Sequence, residues 1–157
     1  MTHSFKTGLS FGLTSGIITT LGLIVGLHAG SATRMTILGG ILTIAIADAF
    51  SDALGIHISE ESENVHTNKE IWLTTYYTFF AKFISALIFI LPFLFLPLFY
   101  AVAICILWGV FSLIIFNYFL AKEQNENPIK VISEHLFISF LVIIITNFVG
   151  RLVANFS

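Results

Sequence analysis

The sequence predicts an all-α, polytopic membrane protein with five transmembrane helices. Hydrophobic residues make up 57% of its 157 residues and charged residues only 10%, whereas an average soluble domain has about 25% charged residues. The apolar residues also fall into five runs of about 20 residues, the length that a helix needs to cross a bilayer. Short polar segments separate these runs, so we expect one transmembrane domain over residues 1–157.

Polar residues or prolines bound each predicted helix. The five helices are predicted at about 8–28, 36–57, 72–91, 98–120 and 135–155. The connections at 29–35 and 121–134 are polar, and the one at 58–71 is predicted to be a short acidic loop on the cytosolic side. Helices three and four are joined by "PFLFLP", in which Pro92 and Pro97 are predicted to bracket a short turn.

The basic residues predict the orientation, because lysine and arginine favour the cytosolic side of a membrane. With the N-terminus inside, four lysines fall on the inner side and two arginines on the outer side. The lysines are Lys6, Lys69, Lys122 and Lys130, and the arginines are Arg34 and Arg151. We therefore expect a cytosolic N-terminus and an external C-terminus, in the cell membrane if the protein is prokaryotic.

Small residues occupy one face of helix one. Its six glycines lie within about 120° of arc at 100° per residue. They are Gly8, Gly12, Gly16, Gly22, Gly26 and Gly30. Such a face lets the backbone of a neighbouring helix approach closely. Ser15 and Thr19 share the face and add a polar stripe to it.

Three ionisable residues are predicted to lie deep in the membrane. Asp48 and Asp52 are four residues apart and so share one face of helix two. Lys82 of helix three is predicted at nearly the same depth as Asp48, about 15 Å from the cytosolic side at 1.5 Å per residue. A charge at the bilayer centre costs at least about 2.5–3.5 kcal/mol, so all three side chains need partners.

These charges allow three interpretations. An Asp–Lys pair could only fix helix packing, which would make the protein a non-transporting membrane scaffold. Alternatively, two carboxylates against one ammonium leave one negative charge for a cation or a proton to balance, which gives an ion site with Lys82 as counter-charge and coupling element. A proton-coupled carrier of a non-metal cation is the third.

The candidate ligands are oxygen atoms, which favour hard or borderline divalent cations such as Mn²⁺, Mg²⁺ or Fe²⁺. No thioether shares their helix face. The sequence lacks the nucleophile or structured metal cluster that an enzyme would need beside paired carboxylates, so we do not expect an enzyme. A net charge of −2 gives no reason to expect a nucleic-acid partner.

Two segments resemble the vacuolar iron transporter family. "FGLTSGIITTLGLIVGL", residues 11–27, is similar to the family's first-helix motif, in which Asp normally stands at the position of Ser15. "GGILTIAIADAFSDALGIHISEESE", residues 39–63, resembles its second helix, usually Ser-Met-Ala-x-Gly-Glu-Tyr, where Asp48 stands for Met and Asp52 for Glu. "LPFLFLP" and, more weakly, "NFVGR" resemble later parts of the family. Lys82 is a further departure from the family.

The resemblance implies a five-helix homodimer in membrane lipid, with a pathway between protomers. It implies export of a divalent metal from the cytosol in exchange for protons. The family's pathway positions fall on Ser15, Asp48 and Asp52, which become the expected ligands. Fe²⁺ or Mn²⁺ is the expected substrate, loss of the Met favours a harder ion, and no cofactor is expected.

Family members with a cytosolic metal-binding domain carry it between helices two and three, where this chain has only "SEESENVHTNKE". Four side chains of this region could capture metal weakly: His57, Glu60, Glu61 and Glu63. His57 and Glu61 are four residues apart, a spacing that can hold one ion if the helix continues. The alternative is a solvated acidic helix end.

Overall fold

The computed structural model describes residues 3–156, with side chains from Ser4 onward. These residues form six helices and no strand. The helices are α1 (His3–Ala29), α2 (Arg34–Glu63), α3 (Asn68–Ile88), α4 (Ile90–Phe95), α5 (Leu98–Gln124) and α6 (Pro128–Ala154). The short α4 continues the span of α3, so five segments are long and apolar enough to cross a membrane. The predicted all-α fold with five transmembrane helices is confirmed.

The helices extend further into the polar segments than the sequence predicted. The acidic segment predicted as a loop over 58–71 is helical as far as Glu63, and only 64–67 separate α2 from α3. Asn64 ends α2 in the left-handed conformation at φ 54°, and Thr67 and Glu70 form a reciprocal cap on α3. The polar residues beyond the apolar run therefore continue the helix until a cap stops it.

The connection at 121–134 is short for the same reason. α5 continues to Gln124, where Asn125 ends it at φ 56°. α6 begins at Pro128, and the Asn127 side chain accepts a hydrogen bond from the backbone of Ile129 at 3.0 Å. Proline fits a first helical position because its missing N–H would have no intrahelical partner there.

The predicted proline-bracketed turn is shorter than expected. Pro92 lies inside α4, and the non-helical turn before α5 consists only of Leu96 and Pro97. Position 92 falls in the first turn of α4, where proline is tolerated. The carbonyl of Leu96 accepts a hydrogen bond from Arg34 Nη2 at 2.8 Å, which ties the end of α4 to the start of α2.

Helix α1 is the centre of the bundle and packs against α2, α3, α5 and α6. Its glycine face meets two helices in succession. A Cβ built on Gly8 or Gly12 would lie 2.6 Å from atoms of α3, and one built on Gly22 would lie 2.8 Å from Val142 of α6. Because real Cβ atoms do not approach so closely, glycine is what lets both helices contact the α1 backbone.

Most of the apolar core lies beyond the buried polar side chains of α3. The apolar core includes Leu21, Ile24, Ile41, Phe89 and Phe93, around the later part of α1. The buried polar side chains of α3 all precede Phe89 and Phe93 along the chain: Thr74, Thr78, Lys82 and Ser85. The fold thus places polar side chains of α3 in the interior beside α1 and α2, before the chain reaches the apolar core.

We predict that Gly150→Ala lowers the free energy of unfolding by about 1–3 kcal/mol, the usual effect of overpacking. The new Cβ would overlap the carbonyl oxygen of Gly26 and lie 2.9 Å from the Cβ of Ala29. Thermal unfolding of the purified protein in detergent measures the change. Gly26→Ala at the same contact is the matched control, because its added Cβ would meet no atom nearer than 3.4 Å, an ordinary van der Waals distance; equal stability of the two variants would contradict this account of the α1–α6 contact.

Candidate ion site

Lys82 lies at the centre of the polar interior and is 1% exposed. Gly12 and Gly16 of α1 face it, since a Cβ on Gly16 would lie 3.1 Å from the Lys82 carbonyl oxygen and one on Gly12 3.1 Å from its backbone nitrogen. The close approach of α1 leaves the lysine side chain no route to water along that side. Its ammonium must therefore find partners inside the bundle.

The ammonium finds those partners on α1 and α2. Lys82 Nζ lies 2.5 Å from Asp48 Oδ2 and forms a shorter ion pair with Asp52 Oδ2. It also donates a hydrogen bond to Ser15 Oγ at 2.9 Å. Ser15 in turn donates to the same oxygen of Asp52 at 2.7 Å. The structure thus brings together all four residues that the sequence assigned to the intramembrane site.

The four residues lie at similar depth. Counted at 1.5 Å per residue, Ser15, Asp48, Asp52 and Lys82 are about 17–23 Å from the ends of their helices at His3, Glu63 and Asn68. With both carboxylates ionised and the lysine protonated, the cluster carries a net charge of −1. The carboxylates are less enclosed than the lysine, because the Asp48 and Asp52 side chains are 28% and 20% exposed against 2% for Lys82.

Two cavities adjoin the cluster on different sides. The first, about 540 Å³, is lined by Asp48 together with Ser51 and Thr43 of α2. The second, about 340 Å³, lies between α1, α5 and α6 and is lined by Ser15 together with Thr14 and His135. The carboxylate cluster can therefore be approached from both sides of the bundle, through Asp48 or through Ser15.

Sequence reasoning missed His135 as a neighbour of the site. Its Nδ1 lies 2.8 Å from the carbonyl oxygen of Val131 on its own helix, and its ring lines the second cavity. No spacing rule links position 135 to position 15, because only the packing of α6 on α1 brings them close. A polar residue at the start of the fifth predicted helix was the only available signal.

Most other polar side chains of the interior bond to their own helix. Thr78 donates to the carbonyl of Thr74 at 2.9 Å, and Ser85 donates to that of Lys82 at 2.9 Å. Thr19 of α1 likewise donates to the carbonyl of Ser15 at 2.9 Å. Such bonds satisfy a hydroxyl in an apolar environment. These residues make the interior polar without adding a ligand to the cluster.

The four residues predicted for cytosolic capture have different surroundings, although His57 and Glu61 share one cavity. His57 Nδ1 lies 2.9 Å from Thr75 Oγ1, and the Glu60 carboxylate is buried 3.5 Å from His66. Glu61 lines a polar cavity of about 150 Å³ with His57, and Glu63 points to solvent at 56% exposure. Across residues 3–156, no three His, Cys, Asp or Glu side chains are grouped so that they could hold a metal ion.

The N-terminal part of the chain, which contains Ser15, Asp48 and Asp52, is similar to a known protein family. The model of the VIT family matches residues 9–75 of the chain. This stretch, which is less than half of the 157 residues, is similar to the VIT family. This confirms the predicted resemblance to vacuolar iron transporters. No curated protein and no solved structure matches the chain significantly.

The match covers α1, α2 and the start of α3. It includes Ser15, Asp48 and Asp52, but it ends before Lys82. VIT proteins form a transporter family, and the five apolar helices together with this match fit a multi-pass membrane protein. The lysine that pairs with both carboxylates thus lies in the part of the chain beyond the matched region.

We predict that Asp52→Asn destabilises the protein more than Asp48→Asn does. Asp52 accepts hydrogen bonds from both Lys82 and Ser15, and a hydrogen bond to a charged group contributes about 1.5–3 kcal/mol. Asp48 contacts only the ammonium and is more open to solvent. Unfolding midpoints in detergent measure the order, with Glu61→Gln as an exposed control on the same helix; the reverse order would contradict the assigned roles.

Proposed function

We propose that the protein exports a divalent metal cation, Fe²⁺ or Mn²⁺, from the cytosol in exchange for protons. The observation that carries the proposal is the convergence of Asp48, Asp52 and Ser15 on a single cation, the Lys82 ammonium, within the membrane. Three oxygens already arranged around one positive charge are a suitable starting geometry for a hard metal ion. The similarity of residues 9–75 to the VIT family supports the same class of substrate.

The ligand chemistry supports a hard or borderline ion. Carboxylate and hydroxyl oxygens suit Mn²⁺ and Fe²⁺, whereas soft ions such as Cu⁺ prefer thiolates and thioethers. The only cysteine, Cys105, lies in the apolar core, and Met35 is exposed at the start of α2. Neither sulfur is part of the cluster around Lys82.

The orientation follows from the charges at the helix ends. Lys6 near the start of α1 pairs with Glu123 near the end of α5 at 3.0 Å, and Lys69 and Lys130 begin α3 and α6 on the same side. The positive-inside rule makes this side cytosolic. Exposed Glu61 and Glu63 at the end of α2 would then raise the local concentration of cations at the cytosolic mouth, with His57 and Glu60 nearby.

A homodimer is part of the proposal. The exposed face of α2 repeats a small residue every four positions: Gly39, Thr43, Ala47, Ser51 and Gly55. An added Cβ on Gly39 or Gly55 meets no other atom of the chain. Such a face allows close approach by another helix, and a second copy packed here would enclose the cavity beside Asp48.

One observation favours a second candidate, the non-transporting scaffold. Lys82 fills the space between the two carboxylates, as a purely structural ion pair would. The scaffold needs no metal and no ion flux. A proton-coupled carrier of a non-metal cation would show flux but no response to divalent metals.

We predict that Asp48→Asn and Asp52→Asn each abolish Mn²⁺ transport into proteoliposomes with an imposed proton gradient, because each removes one of only two carboxylates at the cluster. A fluorescent metal indicator inside the vesicles measures the flux. Glu126→Gln, in the exposed connection after α5, is the matched control and should transport normally. Undiminished Mn²⁺ transport by correctly folded Asp48→Asn would contradict the assignment of Asp48 as a metal ligand.

We predict that divalent metals raise the thermal stability of the wild-type protein, because a ligand that binds only the folded state stabilises it by about 2.7 kcal/mol at 100 times its Kd. A series with Fe²⁺, Mn²⁺, Co²⁺, Zn²⁺ and Mg²⁺ measures the shift and the preference among ions. Asp48→Asn should lose the shift. Absence of any shift in the wild type would support the scaffold instead.

A further inference from the structure

Lys82 contacts every oxygen-bearing side chain that the proposed transport site can offer. Its ammonium has three N–H donors and no acceptor, and it contacts three side chains: Asp48, Asp52 and Ser15. We propose that this ammonium is a tethered cation that competes with the metal for the site and thereby sets the affinity for it. The inference rests on the proposed function, because it presupposes that these oxygens bind a metal.

The Lys82 ammonium must compete with a metal ion for Asp48 and Asp52, because the helices around it offer it no other carboxylate. Helix α3 packs chiefly against α1, α2 and α4. α2 presents Asp48 and Asp52 to Lys82, α1 presents only Ser15, and α4 contains no ionisable residue. Among the residues that the structure describes, these two are the only carboxylates within ion-pair distance of Lys82, so a metal that took both would leave a buried positive charge without a counter-ion.

The charge balance points the same way. The cluster carries −1 with Lys82 in place, and a divalent ion bound beside the ammonium would bring it to +1. Without the ammonium the two carboxylates carry −2, which one divalent ion neutralises. Like charges at such short distance in a medium of low dielectric constant repel strongly. Lys82 must therefore weaken divalent binding as long as it remains charged within the site.

Titration of purified full-length protein in detergent with MnCl₂ tests the inference by calorimetry at fixed pH. We expect Lys82→Met, which keeps the length of the aliphatic chain but removes the charge, to bind Mn²⁺ at least tenfold more tightly than the wild type. Lys69→Met is the matched control, because Lys69 lies exposed in the first turn of the same helix, and it should bind like the wild type. A merely structural lysine would give weaker or unchanged binding in Lys82→Met.

A second pair of variants keeps the test decisive if Lys82→Met does not fold. Asp48→Asn retains the Lys82–Asp52 pair, whereas Asp48→Asn combined with Lys82→Met leaves Asp52 without the ammonium. We expect the double variant to bind Mn²⁺ more tightly than the single one, and equal binding would overturn the inference. If the wild type binds Mn²⁺ and removal of Lys82 does not tighten binding, the inference about Lys82 is wrong but the proposed metal transport is not contradicted. If neither the wild type nor any variant binds Mn²⁺, the proposed function is contradicted as well.

Discussion

A lysine buried in a membrane protein needs its charge balanced from within the bundle, and much of this structure depends on how that is done. Lys82 is balanced by Asp48 and Asp52 on a neighbouring helix and hydrogen-bonded by Ser15 on another. One ion cluster therefore holds α1, α2 and α3 together at a fixed register. Sliding any of the three helices by one turn, about 5.4 Å, would separate the charges in a medium that solvates them poorly.

The glycines of α1 make this cluster possible. Ser15 is short, so its hydroxyl can reach Lys82 and Asp52 only if the α1 backbone lies close to α3. Gly12 and Gly16 on either side of Ser15 permit that approach, because a Cβ at either position would clash with α3. Farther along α1, Gly22 permits the packing of α6 in the same way, because its Cβ would lie 2.8 Å from Val142. The small-residue face thus supports both the fold and the position of the polar cluster.

The sequence predicted those features that follow from local pattern and from the properties of lipid. Apolar length gave five spans, and the i,i+4 spacing put Asp48 and Asp52 on one face. Helix ends were less predictable, because Glu63 and Gln124 lie in polar segments that form helix as readily as loop, and caps at Asn64 and Asn125 decide the outcome. The neighbourhood of His135 depends on how α6 packs against α1, which no local pattern encodes.

The geometry also explains how the chain can differ from the VIT family at the centre of the site. The resemblance places the family's first-helix Asp at Ser15, and here the second acidic residue stands at Asp48 instead. Ser15 Oγ and Asp52 Oδ2 are 2.7 Å apart, and both contact the ammonium that Asp48 also reaches. A carboxylate at position 15 of α1 or at position 48 of α2 can therefore reach the same cation position, which the Lys82 ammonium occupies here. What alters the chemistry is the positive charge from α3, because it reduces the attraction of two carboxylates for any cation that enters.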